Sequence, residues 1–259
     1  MTDNNHHKKT DMQATNRILS TKPLRFGLTL VVLLVLPLSQ AVAKQSIPPA
    51  SEQSVRPGVN NGYLNPNLNV DKWMRRFEIE SREVFAQRLT VLKAIGLQPG
   101  QHIADIGAGT GFYTELFAET TGPTGHVYAV DIAPNFLKRI NKRSQARKLT
   151  NVTSVLGREN SITLPAGSLD KAFTCNVYHH LEYPKTSLAS IYKALKPGGE
   201  LIVIDFERIP GKSSSWVLNH MRAGEDVFSS EISGAGFQFV EKVTIPGFKE
   251  NYFLRFKKP

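Results

Sequence analysis

The chain has 259 residues, 41% of them hydrophobic, enough for one α/β domain with a sizeable core plus an extension. Its formal charge is +10, but the cations are spread along the chain rather than gathered in a block, so a solvated basic surface is expected and a nucleic-acid groove is not. A single cysteine, Cys175, excludes an intramolecular disulfide and a cysteine-rich metal site.

Residues 1–21 are polar and aperiodic, the pattern of a disordered leader. Lys22 and Arg25 then precede an apolar run, Phe26 to Leu38, followed by Ser39-Gln40-Ala41-Val42-Ala43. A positive flank, an apolar core and an Ala-x-Ala ending are the layout of a secretory signal peptide. The run is short of the roughly 20 apolar residues of a membrane span. An uncleaved anchor is the other reading, because the polar leader is long. Residues 1–43 are therefore expected to export the chain (periplasmic or secreted) or to tether it to a membrane. Residues 44–70, rich in Pro, Ser, Asn and Gln, are expected to be a linker.

Residues 71–259 carry the domain. A helix is expected from Asp71 to just before Gly96, with Trp73, Phe77, Val84, Phe85, Leu89 and Leu92 on its apolar positions. Its basic and aromatic first turns suit a lid, a membrane contact or simple packing. Strands are expected at 102–106, 126–131, 151–156, 169–177 and 201–206. Between them lie helices from Phe112, from Pro134 and over 184–195. This alternation predicts a parallel sheet with right-handed crossovers. The tail changes character, with a helix over 225–234 and two strands near 237–245 and 252–257.

The functional signal begins at the first strand. Asp105-Ile106-Gly107-Ala108-Gly109-Thr110-Gly111 joins it to a helix. Glycines let backbone approach a ligand, and the helix aims its N-terminal amides at the same place. The dinucleotide pattern Gly-x-Gly-x-x-Gly fails at Phe112, and the Asp105 carboxylate would repel a pyrophosphate. An amino group on the ligand suits Asp105 instead. Asp131 closes the second strand, where a carboxylate can accept both hydroxyls of a ribose or cap the following helix. Such ligands sit at carboxyl ends of strands, where Arg158-Glu159 and Asn176 to His180 also fall.

These segments resemble class I S-adenosylmethionine-dependent methyltransferases. Leu164-Pro165, Ser168-Leu169-Asp170 and Leu195-Lys196-Pro197-Gly198-Gly199 match the type-11 branch, which includes quinone-biosynthesis enzymes. The resemblance spans about residues 71–257. It implies a doubly wound, mostly parallel seven-stranded sheet with an antiparallel C-terminal strand, a Rossmann-like α/β fold. It implies S-adenosyl-L-methionine as cofactor, held by Asp105, Gly107, Ala108, Gly109, Asp131, Ile132 and Asn176. Glu159, one position past Arg158, which stands where family members carry Asp, is the candidate for the adenine amino group, and a surface glutamate is the equal alternative. His179 and Tyr178 are the candidates for a base or acceptor clamp, and packing under the cofactor is the alternative. Two adjacent histidines with no further His/Cys cluster imply no metal site. Asp205, Glu207, Arg208, Trp216, His220, Met221 and Arg222 are candidates for the acceptor side. The expected reaction is direct displacement onto a small acceptor, lipid or quinone-like compounds included. An exported cofactor-binding module without catalysis is the alternative.

Overall fold

The computed structural model describes residues 52–259. The leader, the signal or anchor, and the first part of the expected linker lie outside the described residues. Among the described residues no helix is long and apolar enough to cross a membrane.

Seven strands form one sheet. They are β1 (His102–Ile106), β2 (His126–Asp131), β3 (Val152–Leu156), β4 (Leu169–Cys175), β5 (Leu195–Phe206), β6 (Gln238–Lys242) and β7 (Asn251–Lys257). Their order is β3-β2-β1-β4-β5-β7-β6. The first five run parallel, β7 lies antiparallel to β5, and β6 antiparallel to β7. The chain winds outward from β1 in one direction and from β4 in the other, so the order reverses between those two strands. Register then decides what meets there. Ile106 pairs with Val130 on one side and Thr174 on the other. The residues just past these strands, Gly107, Asp131 and Cys175-Asn176, are thus brought to one edge.

Alternate strand residues face opposite layers. Ile103, Phe173, Ile202 and Ile204 pack with Val91, Ile95 and Phe117 in one core. Ala104, Ile106, Ala172 and Val203 pack with Leu188, Ile191, Phe228 and Ile232 in the other. Both layers are buried, as continuous apolar runs in parallel strands require.

The expected single helix over 71–95 is broken. Before it stands a short helical turn, α1 (Asn61–Leu64), and the segment itself becomes α2 (Val70–Phe77), α3 (Glu83–Ala86) and α4 (Arg88–Ile95). The break has an electrostatic cause. Glu78 is held by Arg143, 3.1 Å away. Glu83 accepts from the backbone amides of Lys249 and Glu250 and from Asn251 Nδ2 at 2.6–2.8 Å. A continuous helix cannot serve both anchors, and charge-assisted bonds outweigh a turn of helix. The stretch read as linker is likewise held down over 52–69. The Val55 amide donates to the Glu182 carbonyl, Ser54 Oγ and the Gly58 amide donate to its carboxylate, and Asn60 Nδ2 donates to the His180 carbonyl.

The remaining helices are α5 (Phe112–Thr121), α6 (Pro134–Ala146), α7 (Pro184–Ala194), α8 (Ser215–His220) and α9 (Glu225–Gly234). Buried Glu115 on α5 pairs with Arg143 and Arg147 of α6 and locks the two helices together.

Candidate active site

Turn geometry fixes the floor of the site. Gly107 and Gly109 sit at φ 69° and 54°, where side-chain-bearing residues are strained. The Gly107 amide donates to the Val130 carbonyl at 2.8 Å, which ties the turn to β2. The Gly109 amide donates to Asp131 Oδ2, and the Ala133 amide to Asp131 Oδ1, both at 2.8 Å. Asp131 therefore braces the loop ahead of α6 and still lines the cavity beside Ile132. The two readings offered for it are compatible, since a carboxylate has about four lone-pair sites. Asp131→Ala should weaken cofactor binding by about 1.5–3 kcal/mol, roughly 10- to 150-fold. Calorimetric affinity checks this, and an unchanged value would mean the ribose is held elsewhere.

Asp105 is buried at the end of β1 and accepts from Thr114 Oγ1 at 2.6 Å. Burial pushes its carboxyl up to about 7 and that of Asp131 up to about 6. Two carboxyls so raised lack a positive partner that would restore their ionised forms. The sign of the pH effect follows. Asp105 holds its proton more tightly when folded, so its contribution to free-protein stability is full at acid pH and lost as pH rises through about 7. A ligand ammonium needs the ionised carboxylate. Cofactor affinity should thus fall below pH 7 by up to about tenfold per pH unit. Thermal shifts with cofactor at pH 6 and pH 8 test this, and the larger shift is expected at pH 8.

Asp105, Gly107, Ala108, Gly109, Asp131, Ile132, Glu159 and Asn176 all line one cavity of about 850 Å3. Asn176, at φ 54°, has a buried amide whose nitrogen and oxygen both lack a partner, and the buried Thr110 hydroxyl lacks one too. These orphaned groups fit a polar ligand at this edge. Glu159 is half-buried at the rim, whereas Arg158 is exposed and its backbone bridges to Ser161.

The cavity roof comes from residues 60–82. Tyr63, Trp73 and Phe77 form a chain of rings with centroids 5.0 and 5.1 Å apart. The basic-aromatic first turns thus line the cavity. Arg82 was missed in the sequence. Its guanidinium lies 5.0 Å over the Phe77 ring, and its one side-chain hydrogen bond goes to the Phe77 carbonyl at 3.4 Å. No carboxylate pairs with it among the described residues, and burial lowers its pKa. Arg82 and Asp105 both line the cavity, which offers a zwitterionic ligand one basic and one acidic side chain.

The other end is aromatic. His179 is buried, with Nδ1 2.8 Å from Asp205 Oδ1 and its amide donating to Asp205 Oδ2. That pairing leaves Nε2 free. Trp216 stacks on His220 at 4.4 Å, and both line the cavity. Tyr178 does not reach it. Its ring packs on Phe228, its hydroxyl donates to Glu231 Oε2 at 3.0 Å, and burial raises its pKa strongly. The residue following Val177 turns into the core while the next turns out to the cavity. Tyr178→Phe should cost about 1 kcal/mol of stability in denaturant titration and leave methyl transfer unchanged. Met221 is buried in the core, Arg222 is paired with Glu231, Arg208 donates to the Leu218 and Met221 carbonyls, and Glu207 pairs with Lys212. None of these four lines the cavity.

The fold is shared with solved S-adenosylmethionine-dependent methyltransferases. Residues 104–203 match the family described as "Methyltransferase domain". Demethylmenaquinone methyltransferase of Listeria welshimeri is 26% identical over 199 residues, covering 66% of this chain and 84% of that protein. The chain spans about half the length of several other curated relatives it matches. An S-adenosylmethionine-dependent methyltransferase from Aquifex aeolicus shares the fold with a TM-score of 0.65 at 24% identity, over 74% of this chain and 99% of that one. A Haemonchus contortus phosphoethanolamine N-methyltransferase, solved with phosphomonomethylethanolamine and S-adenosylhomocysteine, gives 0.62 at 20% identity over 76% and 59%.

Proposed function

We propose that the chain transfers a methyl group from S-adenosylmethionine to a small, lipophilic acceptor by direct displacement. The observation that carries this reading is the pairing of two cavity ends: buried Asp105 and Asp131 at adjacent strand ends, and the His179–Asp205 pair among aromatic rings at the other. About 850 Å3 is near the top of the range for one drug-sized ligand, roughly 300–1,000 Å3, so cofactor and acceptor fit together.

Bound S-adenosylmethionine supplies a methyl on a sulfonium whose departing product is neutral. Asp105 would take its ammonium, Arg82 its carboxylate, Asp131 its ribose hydroxyls and Glu159 its adenine amino group. Gly107 to Gly109 let the methionyl part lie against backbone, and Asn176 supplies a donor and an acceptor. Tyr63, Trp73 and Phe77 line the cavity and would shield the reacting atoms from water on that side. His179 Nε2 takes a proton where the acceptor holds one at neutral pH. The named relatives are a demethylmenaquinone and a phosphoethanolamine methyltransferase, which supports a small-molecule acceptor. The leader pattern supports an exported or membrane-tethered enzyme, with the lipophilic acceptor drawn from that membrane.

The test is incubation of the purified chain with methyl-labelled cofactor and fractions of a cell extract. Label entering the organic-solvent fraction is the expected result. Label confined to nucleic acid, or no transfer to any fraction, would contradict it.

A further inference from the structure

Three imidazoles gather at the acceptor end of the cavity. His179 and His180 stand on the short helical turn after β4, and His220 ends α8, forty residues later. The His179 ring centroid lies 4.3 Å from that of His180 and 4.9 Å from that of His220, and 5.3 Å separates His180 from His220. One ring nitrogen from each falls within 4.8 Å of the other two. The rings pack against one another, and no hydrogen bond joins any pair.

The surroundings prepare those nitrogens. Asp205, fully buried, accepts a hydrogen bond from His179 Nδ1 and fixes that ring. Carboxylate-backed histidines are the common arrangement at metal centres, because the partner sets the tautomer and raises ligand basicity. His180 Nδ1 is buried and has no partner. The His180 carbonyl is held by Asn60 Nδ2, and the His220 carbonyl by the Arg56 guanidinium, so both backbones are tethered.

We propose that His179, His180 and His220 bind a divalent transition-metal ion of the zinc type, whose open positions face the cavity and take the acceptor's oxygen or sulfur. Three neutral nitrogens with a vacant fourth place are the donor set of catalytic rather than structural zinc. Tetrahedral bonds of about 2.1 Å put ligand nitrogens about 3.4 Å apart, so closure needs roughly an ångström of side-chain rotation. The ion favours an acceptor that binds as an anion. The metal acidifies the bound hydroxyl or thiol, whose proton leaves to solvent. The carbon–sulfonium bond then breaks as the methyl–heteroatom bond forms, with no change in the metal's charge. His179 holds the ion in that state instead of taking the proton. Metal binding stands apart from the methyltransferase reading, and the identity of the metal-bound acceptor rests on it.

The full chain, stripped with a chelator and dialysed, is titrated with cobalt(II) and followed by visible absorption. One equivalent should give the intense ligand-field bands of a low-coordinate site, displaced by one equivalent of zinc. Competition with a chromophoric chelator gives the zinc affinity, and His220→Ala should lower it at least about 100-fold. His220→Gln, which keeps the volume, serves if melting shows the alanine variant misfolded. Absent bands with only millimolar zinc affinity, or equal affinity in the folded variant, would overturn the proposal. S-adenosylmethionine calorimetry on the same stripped protein separates the two failures. Cofactor heat in a protein that takes up neither cobalt nor zinc removes the metal site alone, and metal uptake with no cofactor heat removes the methyltransferase reading.

Discussion

His179→Ala is expected to lower turnover about 10²–10⁴-fold, with cofactor affinity held within about twofold. The ring lies at the aromatic end of the cavity, away from Asp105 and Asp131, and its Nδ1 is already committed to Asp205. Its loss therefore removes what faces the acceptor and leaves the cofactor's contacts in place. The comparison uses the acceptor identified by methyl labelling, with kcat and cofactor affinity measured on the same preparation. If both are unchanged, the imidazole only packs. If both fall together, His179 supports the cofactor end through the β4 turn.

The second large effect is steric. A Cβ on Gly107 would lie 2.4 and 2.6 Å from the two methyl carbons of Val177, at a φ of 69°. The left-handed backbone costs about 1 kcal/mol for alanine and the overlap a further 1–3. Gly107→Ala should therefore destabilise the domain by about 2–4 kcal/mol in denaturant titration. Val177 lies between Asn176 and the histidine turn, so the same change displaces both cavity ends at once. Val177→Ala in the Gly107→Ala background should recover part of the loss, a coupling a double-mutant cycle can read. Additive effects would show that the turn yields elsewhere.

Much of the sheet was readable because its signals are local. Strands such as 102–106 and 126–131 are apolar runs closed by a glycine turn or an acid, and the alternation with helices dictates parallel crossovers. The glycine turn and Asp131 were legible for the same reason, their chemistry lying within a few residues of a strand end. What the sequence hid depends on distant partners. Nothing between Glu78 and Arg82 breaks a helix intrinsically, and the break comes from Arg143 and from the amides of Lys249 and Glu250. Residues 52–69 have a linker's composition, yet Glu182 and His180 hold them on the domain. Arg82 looked like one more cation on a basic surface, and only tertiary packing leaves it unpaired at the cavity. Neighbours in sequence also diverge. Tyr178 and His179 look equivalent as candidates, but a short helical turn sends one side chain to Glu231 and the other to Asp205. His220 could be named from the sequence, but not its place beside His179 and His180, because forty residues separate them.

The central claim is that a sulfonium nucleoside binds between the glycine turn and Asp131. Calorimetric titration of the purified chain with S-adenosylmethionine, and with its demethylated product, tests it most directly. One saturable site is predicted for each, with stabilisation of about 2.7 kcal/mol at a hundredfold excess over Kd. No heat and no shift in melting temperature with either compound would contradict the account.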